Sequence, residues 1–272
     1  MIEVNDHNDK EVTGRLLMLA SSNLPIGSYT YSQGVEPAIE SGLIHDESSC
    51  LTFMSDYLEL ALCRYELPLL ALMIEALDIE DLALADALGA DYHASRETKE
   101  FVYESNQLTL SLSSWLDEVL ELNVPDSLLI HGFLPLFAQI SSHWQLQPAQ
   151  AVTTYAFGQI ENMVLAAVKT VPLGQMAGQR IIWQLQQLLS KQVHALAAKV
   201  KDSFLQIQSM PIEADTTQAD TVRASTTETD TINESTAKLN LLFAKLNISA
   251  SLPNLAILSC QHERQYSRLF RS

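Results

Sequence analysis

The chain has 272 residues, of which 47% are hydrophobic, and a formal net charge of −17; this length allows one sizeable core, as a single domain or as two close subdomains. The acidic balance argues against nucleic acid as the main partner, because phosphate binding needs a concentrated basic face. No run of about 18 apolar residues predicts a membrane span, and the acidic start of the chain is not typical of a signal or transit peptide.

Helix is favoured almost throughout, because Leu, Ala, Gln and Glu are frequent whereas glycine, with 9 residues, is scarce. In chain order, the sequence predicts helices over residues 12–20, 29–42, 47–77, 79–88, 92–122, from 127 onward, 148–171, 174–204 and 237–246. We expect Pro37 to kink the second helix and Pro68 to divide the third, since proline lacks the N–H that a helix interior needs. Ser127 is a candidate N-cap, and Pro148 suits the first position of a helix.

Composition divides the chain into four parts. We expect a flexible N-terminus over residues 1–12, a helical bundle domain over 13–205, an acidic, threonine-rich disordered linker over 206–236, and a C-terminal helix with a tail over 237–272. The linker prediction depends on residues 209–236, which contain one arginine and neither leucine nor an aromatic residue. Burial in such a segment could not offset the entropy of ordering it.

The end of the chain is cationic. Residues 259–272, SCQHERQYSRLFRS, carry Arg264, Arg268 and Arg271 against one acid, Glu263. A cationic, partly apolar end on a strongly acidic chain is either docked on its own body or offered to another protein. Because the predicted linker separates this end from the bundle, we favour a recognition element that folds on a partner.

Motifs of familiar catalytic and metal sites do not occur in the sequence. Residues 174–180 hold two glycines but lack the Lys-Ser/Thr of a phosphate-binding loop, and there is no Gly-x-Ser-x-Gly, His-Glu-x-x-His or Cys-x-x-Cys. Cys50, Cys63 and Cys260 have no metal-like or redox-like spacing, so we expect reduced thiols in a cytosolic protein. His131 is expected to be a buried or capping residue rather than a ligand. An unrecognised active site is disfavoured but stays open.

One stretch is dense in charge. It contains Arg96, Glu97, Lys99, Glu100 and Glu104, with two pairs at i,i+4 spacing. We predict a solvated helix face held by ion pairs, and the alternative is a patch that recognises a partner.

Three groups of residues together resemble one family. They are LMLAS at 17–21 with LPIGSY at 24–29 and YSQGVE at 31–36, KTVPLGQ at 169–175 with GQ at 178–179, and HERQYSRLFRS at 262–272. In this order they are similar to the UreF family of urease accessory proteins. The sequence departs from that pattern in places: Ser28 stands where glycine is usual, Pro37 interrupts a helix that usually continues, no glycine stands near Thr109, and the stretch over residues 209–236 is longer and more acidic than usual.

The resemblance implies an all-α, single-domain helical bundle of about ten helices. It also implies a non-enzymatic, cytoplasmic scaffold that forms a homodimer and binds UreD, also called UreH, and the GTPase UreG for delivery of nickel to apo-urease. Neither a catalytic residue nor a stably bound cofactor or standing metal site is expected, because the complex as a whole handles the nickel.

Candidate partner residues lie in the first matching segment. Tyr29, Tyr31, Ser32, Gln33 and Glu36 belong either to a turn locked onto the core or to a partner surface. Tyrosine is favoured at interfaces, which supports the second interpretation.

Further candidates lie in the middle and final segments. Lys169 is either a partner contact or an ordinary cation at a helix C-terminus. Gln175 and Gln179 follow in a polar turn, where buried amides would need partners in a structural network or in the wall of a water-filled passage. The tail residues expected to order on UreD/UreH are His262, Glu263, Arg264, Tyr266, Arg268, Leu269, Phe270 and Arg271.

Two alternatives come from other classes of protein. One is a helical enzyme with an unrecognised active site, which a saturable activity of the isolated chain would indicate. The other is a generic helical adaptor unrelated to nickel, which urease structural genes beside this gene would argue against.

Overall fold

The computed structural model describes residues 3–21, 24, 33–210 and 226–249. These residues form helices joined by short loops, and no strand occurs among them. The helices are α1 (Glu3–Ala20), α2 (Val35–Glu40), α3 (Glu47–Tyr57), a π-helical segment (Leu58–Glu66), α4 (Leu67–Asp78), α5 (Leu82–Ala94), α6 (Lys99–Leu120), α7 (Asp126–Leu129), α8 (Phe133–His143), α9 (Pro148–Thr170), α10 (Gln175–Gln208) and α11 (Thr226–Leu246). The predicted all-α class is confirmed.

Helix α4 lies at the centre of the bundle. Its sequence, LPLLALMIEALD, is apolar on nearly every side, and its residues from Leu67 to Leu77 are buried apart from Glu75. A helix that is apolar on all sides is stable only when other helices shield it from water. Helices α5, α8, α9 and α10 contact it.

Helices α9 and α10 pack against each other and form the long side of the bundle. Helix α10 has 34 residues and is about 51 Å long at 1.5 Å per residue. Gly178 allows its first turns to approach α9 closely, since an added Cβ would lie 2.6 Å from Val168 Cγ2. No helix in the described part of the chain is both long and apolar enough to cross a bilayer.

Pro68 does not divide the third predicted helix, so this prediction was wrong. The backbone stays helical from α3 through the π-helical segment into α4, with φ −67° and ψ −41° at Glu66 and φ −70° and ψ −44° at Leu67. A proline ring normally collides with the carbonyl four residues earlier. The wider π turn immediately before Pro68 accommodates the ring without ending the helix.

Three other boundaries also differ from the predictions. Helix α2 begins only at Val35, because Gln33 and Gly34 both have positive φ; Pro37 therefore lies in a first turn and causes no kink. Helix α5 continues through Gly89, and the break before α6 falls at Thr98, whose Oγ1 accepts the N–H of Phe101 at 3.1 Å. Ser127 is not an N-cap, since α7 begins at Asp126. Pro148 does occupy the start of α9.

Both ends of the described chain are more helical than expected. Helix α1 begins at Glu3, within the predicted flexible N-terminus over residues 1–12, and Arg15 holds it to the bundle by donating to the Trp144 carbonyl at 3.3 Å. Helix α11 begins at Thr226, within the predicted linker over residues 206–236. Acidic residues near a helix N-terminus interact favourably with its dipole, and Lys238 Nζ lies 3.5 Å from Asp81 of the α5 N-cap. Residues 211–225 of that predicted linker lie outside the described residues.

We expect Gly132→Ala to destabilise the fold. Gly132 has φ 102°, a conformation that L side chains rarely adopt, and an added Cβ would collide with Ser105 Oγ. Strain and overpacking of this kind cost about 2–3 kcal/mol. Urea denaturation followed by circular dichroism would measure the loss.

Gly158→Ala is the matched control for that substitution. Gly158 lies inside α9 with no atom within 4 Å of an added Cβ, so alanine should raise stability by about 0.5–1 kcal/mol through helix propensity. Equal effects of the two substitutions would contradict the assignment of strain at Gly132.

Candidate functional site

Polar side chains are gathered around a cavity of about 70 Å³ inside the bundle. Its walls come from the π-helical segment, the loop between α5 and α6, and helices α6 and α9. Such a concentration of charge and amide groups inside an apolar bundle is costly unless the groups satisfy one another. The cavity is therefore the candidate functional site.

A buried ion pair forms one side of this cavity. Arg96 Nη2 lies 3.1 Å from Glu66 Oε1, and the Glu66 residue is 5% exposed. The other carboxylate oxygen of Glu66 accepts the Tyr155 hydroxyl at 2.7 Å. The guanidinium carbon of Arg96 lies 4.4 Å from the centre of the Tyr92 ring, in a cation–π contact. Burial by itself lowers the pKa of Arg96, but the neighbouring Tyr92 and Glu66 outweigh it and raise the pKa above its ordinary range.

A hydrogen-bonded bridge of four side chains forms another side. Gln33 Nε2 donates to Glu104 Oε1 at 3.1 Å and to Gln159 Oε1 at 2.6 Å, while Gln33 Oε1 accepts the Tyr57 hydroxyl at 3.4 Å. The bridge joins Gln33, two residues before α2, to α6 and α9. Gln33 has φ 49°, an uncommon value for a residue with a side chain. The bridge supplies contacts that hold this strained position.

Glu104 is the group of this cavity whose shifted pKa lies near neutral pH. Burial raises its pKa to about 7, against the opposing effects of the Gln33 hydrogen bond and the charge of Arg96. Burial also raises the pKa of the Tyr57 and Tyr155 phenols well above their usual range. The phenols are therefore neutral hydrogen-bond donors near pH 7, whereas Glu104 changes charge there.

The structure places the first group of candidate partner residues only in part. Gln33 reaches into the cavity as described, and Glu36 is buried at the start of α2. Tyr29, Tyr31 and Ser32 lie outside the described residues.

The middle group of candidates lies on the surface. Lys169, Gln175 and Gln179 are all exposed, so the two glutamine amides do not belong to a buried network. The reason is that α10 turns Ala177 and Gly178 towards α9, which leaves the glutamines facing outward. The eight tail candidates between His262 and Arg271 lie outside the described residues.

The charge-dense stretch is not a solvated face. Arg96 and Glu104 turn inward to the cavity, while Glu97 and Lys99 are exposed. His131 is largely enclosed, with Nε2 2.9 Å from Asp86 Oδ1. Among the described residues, no group of three or more His, Cys, Asp or Glu side chains is placed to hold a metal ion.

Sequence reasoning missed Glu66, Tyr57, Tyr155 and Gln159. A usable signal was present for two of them, because Tyr155 and Gln159 are polar residues one helical turn apart on the largely apolar inner face of α9. Polar residues on a buried face must find partners, so this pairing could have predicted an internal network.

Fold and site together define an all-α helical-bundle protein with a buried polar cavity. The UreF family model matches residues 44–186. "Urease accessory protein UreF" of Dechloromonas aromatica (strain RCB) is 33% identical over 264 residues, which cover 95% of this chain and 96% of that protein. The chain belongs to the UreF family, as the sequence resemblance indicated.

Other relatives match over a similar span. The protein of the same name from Methylobacillus flagellatus is 34% identical over 263 residues, covering 95% of this chain and 96% of that protein. "Bifunctional urease accessory protein UreEF" of Bordetella bronchiseptica is 35% identical over 262 residues, which cover 94% of this chain but 51% of that protein.

We expect stability to depend on pH through Glu104. Its carboxyl ionises near pH 4.5 as a free group and near pH 7 in the folded chain, so the folded state binds the proton more tightly. The free energy of unfolding should therefore fall as pH rises from about 4.5 to about 7, by about 3 kcal/mol from this group, and then level off. Glu104→Gln should remove this fall and be more stable than the parent at pH 8. Denaturation midpoints at pH 5, 6, 7 and 8 would measure it.

Glu118→Gln is the control for this measurement. Glu118 lies on the same helix, α6, and is exposed, so its substitution should leave the pH slope unchanged. A parental slope that survives in Glu104→Gln would contradict the assignment to Glu104.

Proposed function

We propose that this protein is a urease accessory protein, a non-catalytic scaffold for assembly of the urease nickel centre. The proposal is supported above all by sequence identity: 95% of this chain aligns, at 33% identity, with a protein named urease accessory protein UreF. That match includes the helices that form the bundle and its cavity.

The proposed partners are UreD/UreH, the GTPase UreG and apo-urease, in the cytoplasm, with nickel passed through the complex rather than held by this chain. A relative named as bifunctional UreEF supports a role beside another accessory protein, because accessory functions joined in one chain act at one place. The cationic tail, on a chain of formal net charge −17, is the proposed docking element for UreD/UreH.

We expect the purified chain to bind UreD/UreH and UreG without hydrolysing GTP by itself. Deleting residues 261–272 should abolish UreD/UreH binding while leaving helix content and the melting temperature nearly unchanged. Copurification and circular dichroism would test both statements. Failure of the full chain to copurify with either partner at low and moderate salt would contradict the proposed function, and unfolding on deletion would make the tail a core element instead.

The proposed homodimer has a candidate surface at the start of α10. The α10 patch, defined by Leu43, Glu47, Met176, Arg180 and Trp183, exposes 62% of Trp183 and 70% of Met176. Large exposed apolar residues of this kind are typical anchors of protein interfaces.

Charge supports a second copy of this chain as the occupant of the α10 patch. Arg180 and Glu47 neutralise each other, with Nε–Oε1 and Nη2–Oε2 distances of 2.8 and 2.6 Å. The patch is thus neutral on a chain of formal net charge −17. Two copies repel each other least where the approaching surfaces carry no net charge.

Trp183→Ala should weaken self-association at least about tenfold, since a buried aromatic anchor contributes about 2 kcal/mol or more. Analytical ultracentrifugation over a range of concentrations would measure the dissociation constant. Leu110→Ala, which removes an apolar side chain 60% exposed on α6, is the control and should have no effect. A parent chain that stays monomeric at all concentrations would contradict the dimer.

A helical enzyme is the second candidate function, and Glu104 is the observation that favours it. A carboxyl with a pKa near 7 inside a cavity has the property expected of a general base. A saturable activity of the isolated chain that Glu104→Gln abolishes would favour this candidate over the scaffold.

A further inference from the structure

We propose that the outer face of α10 binds an acidic segment of a partner protein. The acidic character of the segment follows from the charge of this face, whereas the choice of protein among UreD/UreH, UreG and apo-urease rests on the proposed function. The basic face of α10 is defined by six exposed residues, Gln184, Gln187, Lys191, His194, Lys199 and Lys201.

The sequence that contains this face has no acidic residue. Forty consecutive residues, from Asn162 to Lys201, include neither Asp nor Glu. At the average frequency of the chain, 33 acids in 272 residues, a stretch of this length would contain about five. The cations of the stretch are Lys169, Arg180, Lys191, Lys199 and Lys201. The sign of the charge is therefore reversed locally on a chain whose formal net charge is −17.

Helical periodicity brings the polar residues of α10 to one side. Leu185 and Leu189 are buried and pack towards the rest of the bundle. Gln187 and Lys191, one turn apart, lie on the opposite side and are exposed. From residue 184 to residue 201 the basic face is about 26 Å long at 1.5 Å per residue. A segment of a partner protein can therefore lie along it over several turns of the helix.

Two lysines of the basic face carry charges that the chain does not neutralise. Arg180 is already paired in the α10 patch, and the charge of Lys201 acts on the Glu75 carboxyl of α4. Within the described part of the chain, neither the Lys191 nor the Lys199 side chain forms an ion pair or a hydrogen bond. Their Cα atoms are about 12 Å apart along the helix axis. Both ammonium groups can therefore pair with carboxylates of another molecule.

The number and setting of these charges favour a protein over a nucleic acid. Affinity for nucleic acid comes mainly from neutralising many phosphates, whereas this face offers two uncompensated lysines on a chain that is acidic as a whole. Between and beside the lysines lie Gln187, Ala195 and Ala198, which are exposed and uncharged. A few spaced carboxylates among neutral side chains match this surface better than a continuous row of phosphates.

Symmetry argues against a second copy of this chain as the occupant. A two-fold interface uses the same surface on both subunits, so an interface centred on the basic face would bring the lysines of the two copies together. Like charges placed in this way repel each other. The α10 patch, whose ion pair is neutral, remains the proposed surface for self-association.

An oligoglutamate peptide is the first probe, because it supplies carboxylates and little else. The full chain, labelled with ¹⁵N, is titrated with the peptide at low and at moderate salt while the backbone amide signals are followed. We expect saturable shifts at low salt that are concentrated in residues 184–201, and binding about tenfold weaker at moderate salt, because salt screens exposed charges. An oligolysine peptide should not shift these signals.

Charge reversal provides a matched pair of variants. Lys191→Glu should weaken binding of the peptide at least about fivefold, and adding Lys199→Glu should abolish it. Lys99→Glu makes the same change of charge at an exposed position of α6 and should have no effect. Circular dichroism would verify that all variants keep the fold. Shifts spread evenly over the chain, or equal effects of Lys191→Glu and Lys99→Glu, would overturn the proposal.

A second arm identifies the partner by cross-linking. A photoreactive amino acid replaces Gln187, and the full chain is illuminated with purified UreD/UreH, UreG or apo-urease. We expect a cross-link to a peptide of one partner that is rich in Asp and Glu, and Lys191→Glu should slow association with that partner about tenfold at low salt. Cross-links mainly to a second copy of this chain, to added RNA, or to partner peptides without an excess of acid would each contradict the proposal.

The two arms separate this proposal from the proposed function. If the parent chain binds none of the three proteins, the proposed function is contradicted and the peptide titration alone decides whether the basic face recognises acidic segments. If the parent chain binds a partner but Gln187 gives no cross-link and Lys191→Glu leaves association unchanged, the basic face is not the docking site, whereas the proposed function stands.

Discussion

The ion pair between Arg96 and Glu66 constrains the rest of the structure. Two charges removed from water cost several kcal/mol each unless their attraction and further hydrogen bonds offset the loss. Glu66 meets this requirement by accepting from Tyr155, and Arg96 meets it by stacking on Tyr92. The pair therefore dictates that the π-helical segment, the loop before α6, and helices α5 and α9 meet at one place.

The backbone geometry of the π-helical segment brings these groups together. Tyr57, Ala61, Tyr65 and Glu66 all line the cavity, although regular helical spacing would turn some of them away from it. Widening the helix over Leu58–Glu66 brings the phenols and the carboxylate to one side. The same wide turn accommodates Pro68, so the feature that builds the cavity also keeps α4 continuous with α3.

The fold could be predicted from the sequence better than the site, because the fold depends on local signals and the site on long-range contacts. Apolar periodicity and capping residues are local signals, so they located α9 and α10 and predicted the all-α class. The cavity depends on contacts such as that of Gln33 with Glu104 and Gln159, which lie far apart in the chain. Local charge spacing was misleading, because it predicted a solvated helix face, whereas Glu104 is buried and Arg96 faces the cavity.

Long-range contacts, which local signals do not reveal, also explain why some predicted helix boundaries were wrong. The threonine-rich start of α11 has poor intrinsic helix propensity, yet α11 is helical because tertiary contacts outweigh propensity. For α11 those contacts include Lys238 with Asp81 and the fully buried Leu242. Propensity is worth a few tenths of a kcal/mol per residue, whereas one buried leucine contributes about 2 kcal/mol.

The cavity and the α10 patch are built from separate residues, and this has a consequence for function. The cavity wall belongs to residues 33, 57–66, 92–108, 133 and 155–159, whereas the patch belongs to residues 43–47 and 176–183. Groups that share no partners contribute nearly additively to free energy. A substitution in the cavity wall should therefore leave the α10 patch unchanged, and a substitution in the patch should leave the cavity unchanged.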